Sequence, residues 1–318
     1  MKAIFIILLC SSLTVMAQNT MPLTLKGASS SPTMLAEGSI STFLNERDFA
    51  ISPDGKEIYY SVSTPKSSIQ TIVSIKQVSD GTWTTPEVVS FAGVFSDIEP
   101  AFSADGNTMY FASNRPLAGD KPKDFDIWKV KRSGSGWGTP EHTGQVINTS
   151  ADEFFPSLTK SGDLYFTAEY KGGPGREDIY VARWKDNAFQ KPVALDTAVN
   201  SRTYEFNAFV DPDEQFILFT SYGRKDDTGG GDIYLSMKGA DGRWKPAENM
   251  KSINSKQLDY CPYISPDKKL FFFTSERHAL PVSFSTRTSM QTIRDFYTQS
   301  RNGSGNIYWM NWNPALNK

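Results

Sequence analysis

ERDFAISPDG at Glu46–Gly55 returns as DIEPAFSADG at Asp97–Gly106 and EFFPSLTKSG at Glu153–Gly162, then as EFNAFVDPDE from Glu205 and DYCPYISPDK from Asp259. The acid that opens each copy falls at 46, 97, 153, 205 and 259, so the period is 51 to 56 residues. A short aromatic run follows each copy: EIYYSV from Glu57, TMYFAS from Thr108, DLYFTA from Asp163, FILFTS from Phe216 and LFFFTS from Leu270. A third segment opens Asp126-Ile127-Trp128, Asp178-Ile179-Tyr180, Asp232-Ile233-Tyr234 and Asn306-Ile307-Tyr308, with Thr71-Ile72-Val73 as a degenerate first copy. A fourth carries an aromatic shortly before proline: Trp83 with Pro86, Trp137 with Pro140, Phe189 with Pro192 and Trp244 with Pro246. Short β-branched and aromatic runs separated by turn residues predict four strands per unit.

Units of this size cannot bury their own faces, and repeated four-stranded units are the signature of blades around a channel. The expected fold is therefore all-β, a β-propeller of five four-stranded blades, with six as the alternative. The fifth unit reaches Lys318 without a fourth strand, while Pro32-Thr33-Met34-Leu35 stands before Glu46 as the other prolines stand before their next acid. Residues 32 to 44 are expected to supply that strand from the amino-terminal side and close the ring, which removes exposed sheet edges.

Ser52-Pro53-Asp54-Gly55, Ser103-Ala104-Asp105-Gly106 and Ser265-Pro266-Asp267, with Ser113-Asn114-Arg115 and Ser275-Glu276-Arg277 ending second strands, resemble the WD-like repeat of TolB-type periplasmic propellers. The resemblance spans nearly all of residues 32 to 314 and implies the fold. It implies little about activity, because such blades serve as scaffolds for protein binding and, with additions, for peptidases and polysaccharide lyases. TolB itself is typically six-bladed with a separate amino-terminal domain; five repeats leave room for neither.

The chain has 318 residues, 39% of them hydrophobic, which excludes disorder, and its 33 Lys plus Arg against 35 Asp plus Glu form no long run. Without a basic footprint, nucleic acid is excluded as a partner. Residues 1 to 17, MKAIFIILLCSSLTVMA, read as a signal peptide, residues 18 to 31 as a linker, and 32 to 318 as one propeller domain. The expected location is periplasmic or secreted; a lipoprotein using Cys10 is disfavoured because Leu9 before it is large. No later apolar run approaches the roughly 18 residues of a transmembrane span. Cleavage removes Lys2 and Cys10, taking the net charge from −2 to −3 and leaving Cys261 without a disulfide partner.

His142 and His278 are the only histidines, there is no GxSxG elbow, and Gly229-Gly230-Gly231 lacks the Lys of a phosphate loop. No catalytic set, bound transition metal or cofactor is therefore expected, and calcium on carboxylates is the one ion compatible with the residues. Cys261 reads as a buried inert thiol. Glu46, Asp97, Glu153, Glu205 and Asp259 admit two readings. As a ring at the channel mouth they could hold a cation or act as acid and base on a glycosidic bond. Alternatively, each bonds backbone amides or pairs with an arginine ending a second strand, such as Arg115. Repetition in every blade favours the second reading, since function usually breaks repeat symmetry.

Residues 276 to 305 form a 30-residue loop where other blades have about a third of that length, and it carries Arg277, Arg287, Arg294 and Arg301 against Glu276 and Asp295. Met290, Ile293 and Tyr297 behind Ser289 predict a short capped amphipathic helix. It is expected either to determine specificity towards an acidic ligand group or to plug the channel mouth. The function expected first is an exported propeller that binds a protein or peptide of the cell envelope. The alternative is a carbohydrate-active enzyme acting on a glycan.

Overall fold

The computed structural model of the chain describes residues 19–313. Five antiparallel sheets surround a channel. Their innermost strands are Asn45–Ile51, Asp97–Phe102, Glu153–Leu158, Tyr204–Val210 and Asp259–Ile264. Second strands run Glu57–Ser63, Thr108–Ser113, Leu164–Ala168, Phe216–Tyr222 and Leu270–Ser275. The third are Gln70–Ser79, Asp126–Ser133, Asp178–Ala182, Asp232–Met237 and Asn306–Asn311. The expected five blades are present, and the six-bladed alternative is not.

The fourth strands differ from expectation in detail. Glu87–Val88, Glu141–His142, Val193–Ala194 and Glu248–Asn249 are two residues each and follow the prolines. The aromatics before proline instead fold back as a hairpin arm on the outer end of the third strand, as Trp83 pairs with Gln77 and Trp137 with Arg132. Proline has no N–H to donate, so the ladder breaks there and resumes after it.

Ring closure is as expected but shorter. Within residues 32 to 44 the strand is Thr33–Met34 alone, pairing with Trp309 and Tyr308. Ser41 extends the seam by donating to the Ile307 carbonyl at 3.1 Å. Further upstream, in the stretch read as a linker, Thr20–Pro22 is a strand that pairs with Thr82–Thr84 of blade one. The amino-terminal segment thus clasps blades five and one together. The signal-peptide reading of residues 1 to 17 lies outside the described residues; among the described ones no helix is long and apolar enough to cross a membrane.

The core is divided into five clusters, each between two neighbouring blades. Phe49, Ile51, Phe272 and Ile307 fill the seam between blades one and five, joined there by Met21, Leu23 and Leu35. Every second-strand aromatic run feeds such a seam: Tyr60, Phe111, Phe166, Phe219 and Phe272 are all shielded from solvent. The turns behave as their residues dictate. Ser52 Oγ donates to Asp54 Oδ1 at 2.6 Å, the Lys56 amide donates to the same oxygen, and Gly55 takes the left-handed conformation at φ 72°.

Each innermost strand carries a β-bulge two residues after its acid. The bulged residues Asp48, Glu99, Phe155, Asn207 and Cys261 all have φ between 50° and 63°, and none is glycine. Such a conformation persists in L-residues only where the surroundings enforce it. Here three of the amides freed from the ladder are caught by other blades. The Glu99 amide donates to Ser61 Oγ at 2.9 Å, that of Asn207 to Thr167 Oγ1 at 3.2 Å, and that of Phe155 to Glu99 Oε2 at 2.7 Å.

Candidate binding funnel at the channel mouth

The five repeated acids do not open onto the channel. Glu46 is 1% exposed and Asp97, Glu153, Glu205 and Asp259 are 0% exposed. Asp97 Oδ1 accepts from Ser113 Oγ at 2.7 Å and pairs with the Arg115 guanidinium. Asp259 pairs with Arg277 at 2.8 Å and Glu205 with Arg224 at 3.0 Å. Blades one and three lack the arginine and use amides and hydroxyls. Thr42 N donates to Glu46 at 3.0 Å, and Asn306 Nδ2 does so at the same distance. Thr149 donates to Glu153 through its N at 3.1 Å and its Oγ1 at 2.7 Å. Burial, the largest influence in each case, pushes Glu46 and Asp97 up and Glu153 up to about 7. The five acids are thus five separate clamps, not a ring of free carboxylates, because the bulge turns the next two residues, not the acid, towards the axis.

Those next two residues build the site. Arg47, Ile98, Phe154, Phe206 and Tyr260 line a cavity of about 300 Å³ at the loop-face mouth of the channel. Gln70, Phe125, Glu177 and Leu258 form its rim, the first three standing at the start of third strands. Below, Arg47 Nε donates to both Asp48 oxygens at 2.8 and 2.9 Å, and Nη2 to Glu99 Oε1 at 2.9 Å. The same guanidinium lies over the Tyr260 ring at 5.3 Å, so one side chain ties blades one, two and five. Cys261 Sγ donates to Asp48 Oδ1 at 2.9 Å, closing the network.

Asp48 and Glu99 also line a second cavity of about 200 Å³ on the opposite, turn-rich side, whose walls include Phe49, Pro100, Phe155, Phe209 and Tyr263. The Arg47 network is therefore a partition across the channel. Burial, then the Asp48 carboxylate, pushes Glu99 well above the ordinary carboxylate range against the pull of Arg47. Burial, then Glu169, pushes Glu177 up to about 7. Burial and Asp48 push the Cys261 thiol up, in keeping with an inert sulfur. Among the described residues no group of three or more His, Cys, Asp or Glu side chains is placed to hold a metal ion.

Of the other residues singled out from the sequence, Arg115 and Arg277 are held in the clamps and unavailable to a ligand. Arg287, Arg294 and Tyr297 are exposed on the long loop. The expected helix is present as α1 (Met290–Tyr297), with Ser289 Oγ accepting from Thr292 N at 3.1 Å. It buries no residue: Met290, Ile293 and Tyr297 are 62%, 46% and 60% exposed. Its loop instead touches the blade-five seam, where Ser300 bonds Glu37 and Asn302 Nδ2 donates to the Phe43 carbonyl at 2.9 Å. Tyr297 joins Phe43 and Pro65 around a smaller pocket there, apart from the funnel.

No protein-family model and no curated protein matches the chain. Among solved structures, an endo-arabinase from Bacteroides thetaiotaomicron is similar over 85% of this chain and 94% of its own, at 15% identity and a TM-score of 0.53. A glycoside hydrolase is similar over 87% and 92%, at 10% identity and a TM-score of 0.55. A protein assigned to TolB from Agrobacterium tumefaciens covers 84% and 90%, at 16% identity and a TM-score of 0.47. At these identities the likeness is one of fold.

Proposed function

We propose that the chain is an exported propeller that presents its loop-rich face, centred on the aromatic funnel, to a protein or peptide of the cell envelope. The observation that carries this reading is the pairing of aromatic walls with an occupied floor. Phe125, Phe154 and Phe206 are only half-buried at the funnel, whereas Asp48 and Glu99 beneath them already accept from Arg47. Exposed aromatics in a concave site anchor partner side chains, and a carboxylate locked to a guanidinium is poorly placed to move protons. Capture from envelope extract, with crosslinking, tests it using the mature protein and the double variant Phe154→Ala, Phe206→Ala. Wild type should recover a partner that the variant loses at unchanged melting temperature. Equal recovery by both, or nothing above background, overturns the reading.

Glu177 favours a second reading. Its carboxyl, raised to about 7, stands at the same funnel as Glu99, and a general acid active near neutral pH needs such a value. A glycan panel with wild type and Glu177→Gln decides: turnover by wild type that Glu177→Gln lacks would establish a carbohydrate-active enzyme in place of a binding protein.

A further inference from the structure

Four of the five blades start their third strand with a buried Asp or Asn, and each copy except one has an evident answer to the cost of burying it. In blade two the Lys123 ammonium sits 2.6 Å from Asp126 Oδ2. In blade three the Gly175 amide donates to both oxygens of Asp178, at 3.0 and 3.1 Å. Blade five removes the charge altogether: Asn306 Oδ1 accepts from the Arg301 amide and its Nδ2 donates to Glu46. Blade four instead sets a second carboxylate, Asp227, against Asp232.

Asp232 is 0% exposed. Its Oδ2 accepts from Thr228 N at 2.7 Å and Asn249 Nδ2 at 2.6 Å, while Asp227 Oδ2 accepts from Gly223 N at 2.9 Å. The Oδ1 atom of each is shut off from solvent and accepts no hydrogen bond. Asp126 also leaves its Oδ1 unbonded, but Lys123 neutralises it; no Lys or Arg ion pair reaches Asp226, Asp227 or Asp232 among the described residues. Two neighbouring carboxylates, one fully buried, with an orphaned oxygen apiece and no ion-paired Lys or Arg among the described residues, leave a place for positive charge.

We propose that the loop Gly223–Asp232 of blade four binds a divalent cation, calcium, through Asp227 and Asp232. All the donors on offer are oxygens, which suits calcium and disfavours zinc or copper. Asp226 Oδ1 already accepts from Tyr234 Oη at 2.9 Å, so main-chain oxygens of the loop and water complete the shell. Calcium tolerates such a mixed, irregular set where magnesium demands an octahedron. The site lies behind the funnel: Gly229, Gly230 and Gly231 pass so close to residues 256–258 that a Cβ on Gly231 would sit 2.7 Å from Leu258 Cδ1, and Leu258 is on the funnel rim. Bound calcium fixes the wall on which that rim residue rests.

The test uses the full mature chain, stripped with chelator and titrated with calcium chloride by calorimetry, with thermal melts in parallel. Wild type should take up one calcium with a rise in melting temperature, and magnesium should bind at least about tenfold more weakly. Asp227→Asn should lose both heat and thermal shift while its metal-free melting temperature stays equal to or above that of wild type, since a like charge has gone. Asp227→Ser repeats the test should Asp227→Asn fail to fold. No calcium heat from wild type near neutral pH would overturn the proposal. Calcium binding retained in both variants would place the ion elsewhere and overturn it equally.

Discussion

Replacing Arg115 by Met strips the guanidinium from Asp97, a carboxylate with no exposure. An uncompensated buried charge costs about 3–5 kcal/mol, so urea unfolding should show a loss of that size. A loss below about 1 kcal/mol would mean the clamp carries no weight. At the funnel, Glu177 holds its proton up to about 7 in the folded chain but only to its ordinary value, 4.5, when unfolded. Across that window the native state binds more protons, so stability falls as pH rises. Glu153 and Glu99, also raised by burial, act in the same direction. Melts between about pH 5 and pH 8 should show this decline, and Glu177→Gln should make it shallower without abolishing it; an unchanged slope would remove Glu177 as a contributor. Neither Arg47, Glu99 nor Glu177 stands out in the sequence when attention rests on what the repeats share. The signal lies where they disagree: 47, 98, 154, 206, 260 and 48, 99, 155, 207, 261 are unlike columns inside an otherwise conserved-looking ten-residue motif. The bulge that turns them inward was not legible, because no glycine marks its left-handed residue.

Helix α1 and its cap Ser289 were readable because both are local: spacing of apolar residues and one side-chain acceptor suffice. Whether the helix packs on the blades depends on distant residues, and none of its residues is buried; Phe296 rests against Phe284 of its own loop, ring centres 6.0 Å apart. Replacing 279–298 by a Gly-Ser turn keeps Ser300, Arg301 and Asn302 with their bonds to Glu37, Asn306 and Phe43, and should therefore move the melting temperature by no more than a degree or two, on the order of a neutral surface change. A large drop would mean that the helix braces the seam. Truncation tests the two amino-terminal strands separately. Removing residues through 24 takes away Thr20–Pro22 and with it Met21 and Leu23, two buried side chains worth roughly 1.5–3 kcal/mol each. Removing residues through 35 also bares the edge of Asn306–Asn311, and that protein should aggregate or unfold without a sharp transition. If the longer truncation melts like the shorter one, the closing strand contributes nothing.

For the molecule as a whole, the propeller was legible from period alone: five acids in register and four strand signals per unit leave few other ways to bury the aromatic faces. The repeated acids are all clamped already, so none of them stands free at the channel mouth for a calcium ion. The two-residue closing strand has a consequence in time. Thr33 and Trp309 lie 276 residues apart, so the first strand of the ring to leave the ribosome is the last to find its neighbour. Through synthesis the chain is an unfinished arc with one raw edge, and only arrival of Asn306–Asn311 completes it. The join made last should also be the first to part: amide exchange in Asn306–Asn311 should outpace that in Phe216–Tyr222, which has partners on both sides from neighbouring sequence. Equal protection in the two strands would show a circle without a weak link. A breathing seam beside the funnel would let the ring admit a partner by opening sideways, as a clasp does, instead of only from above.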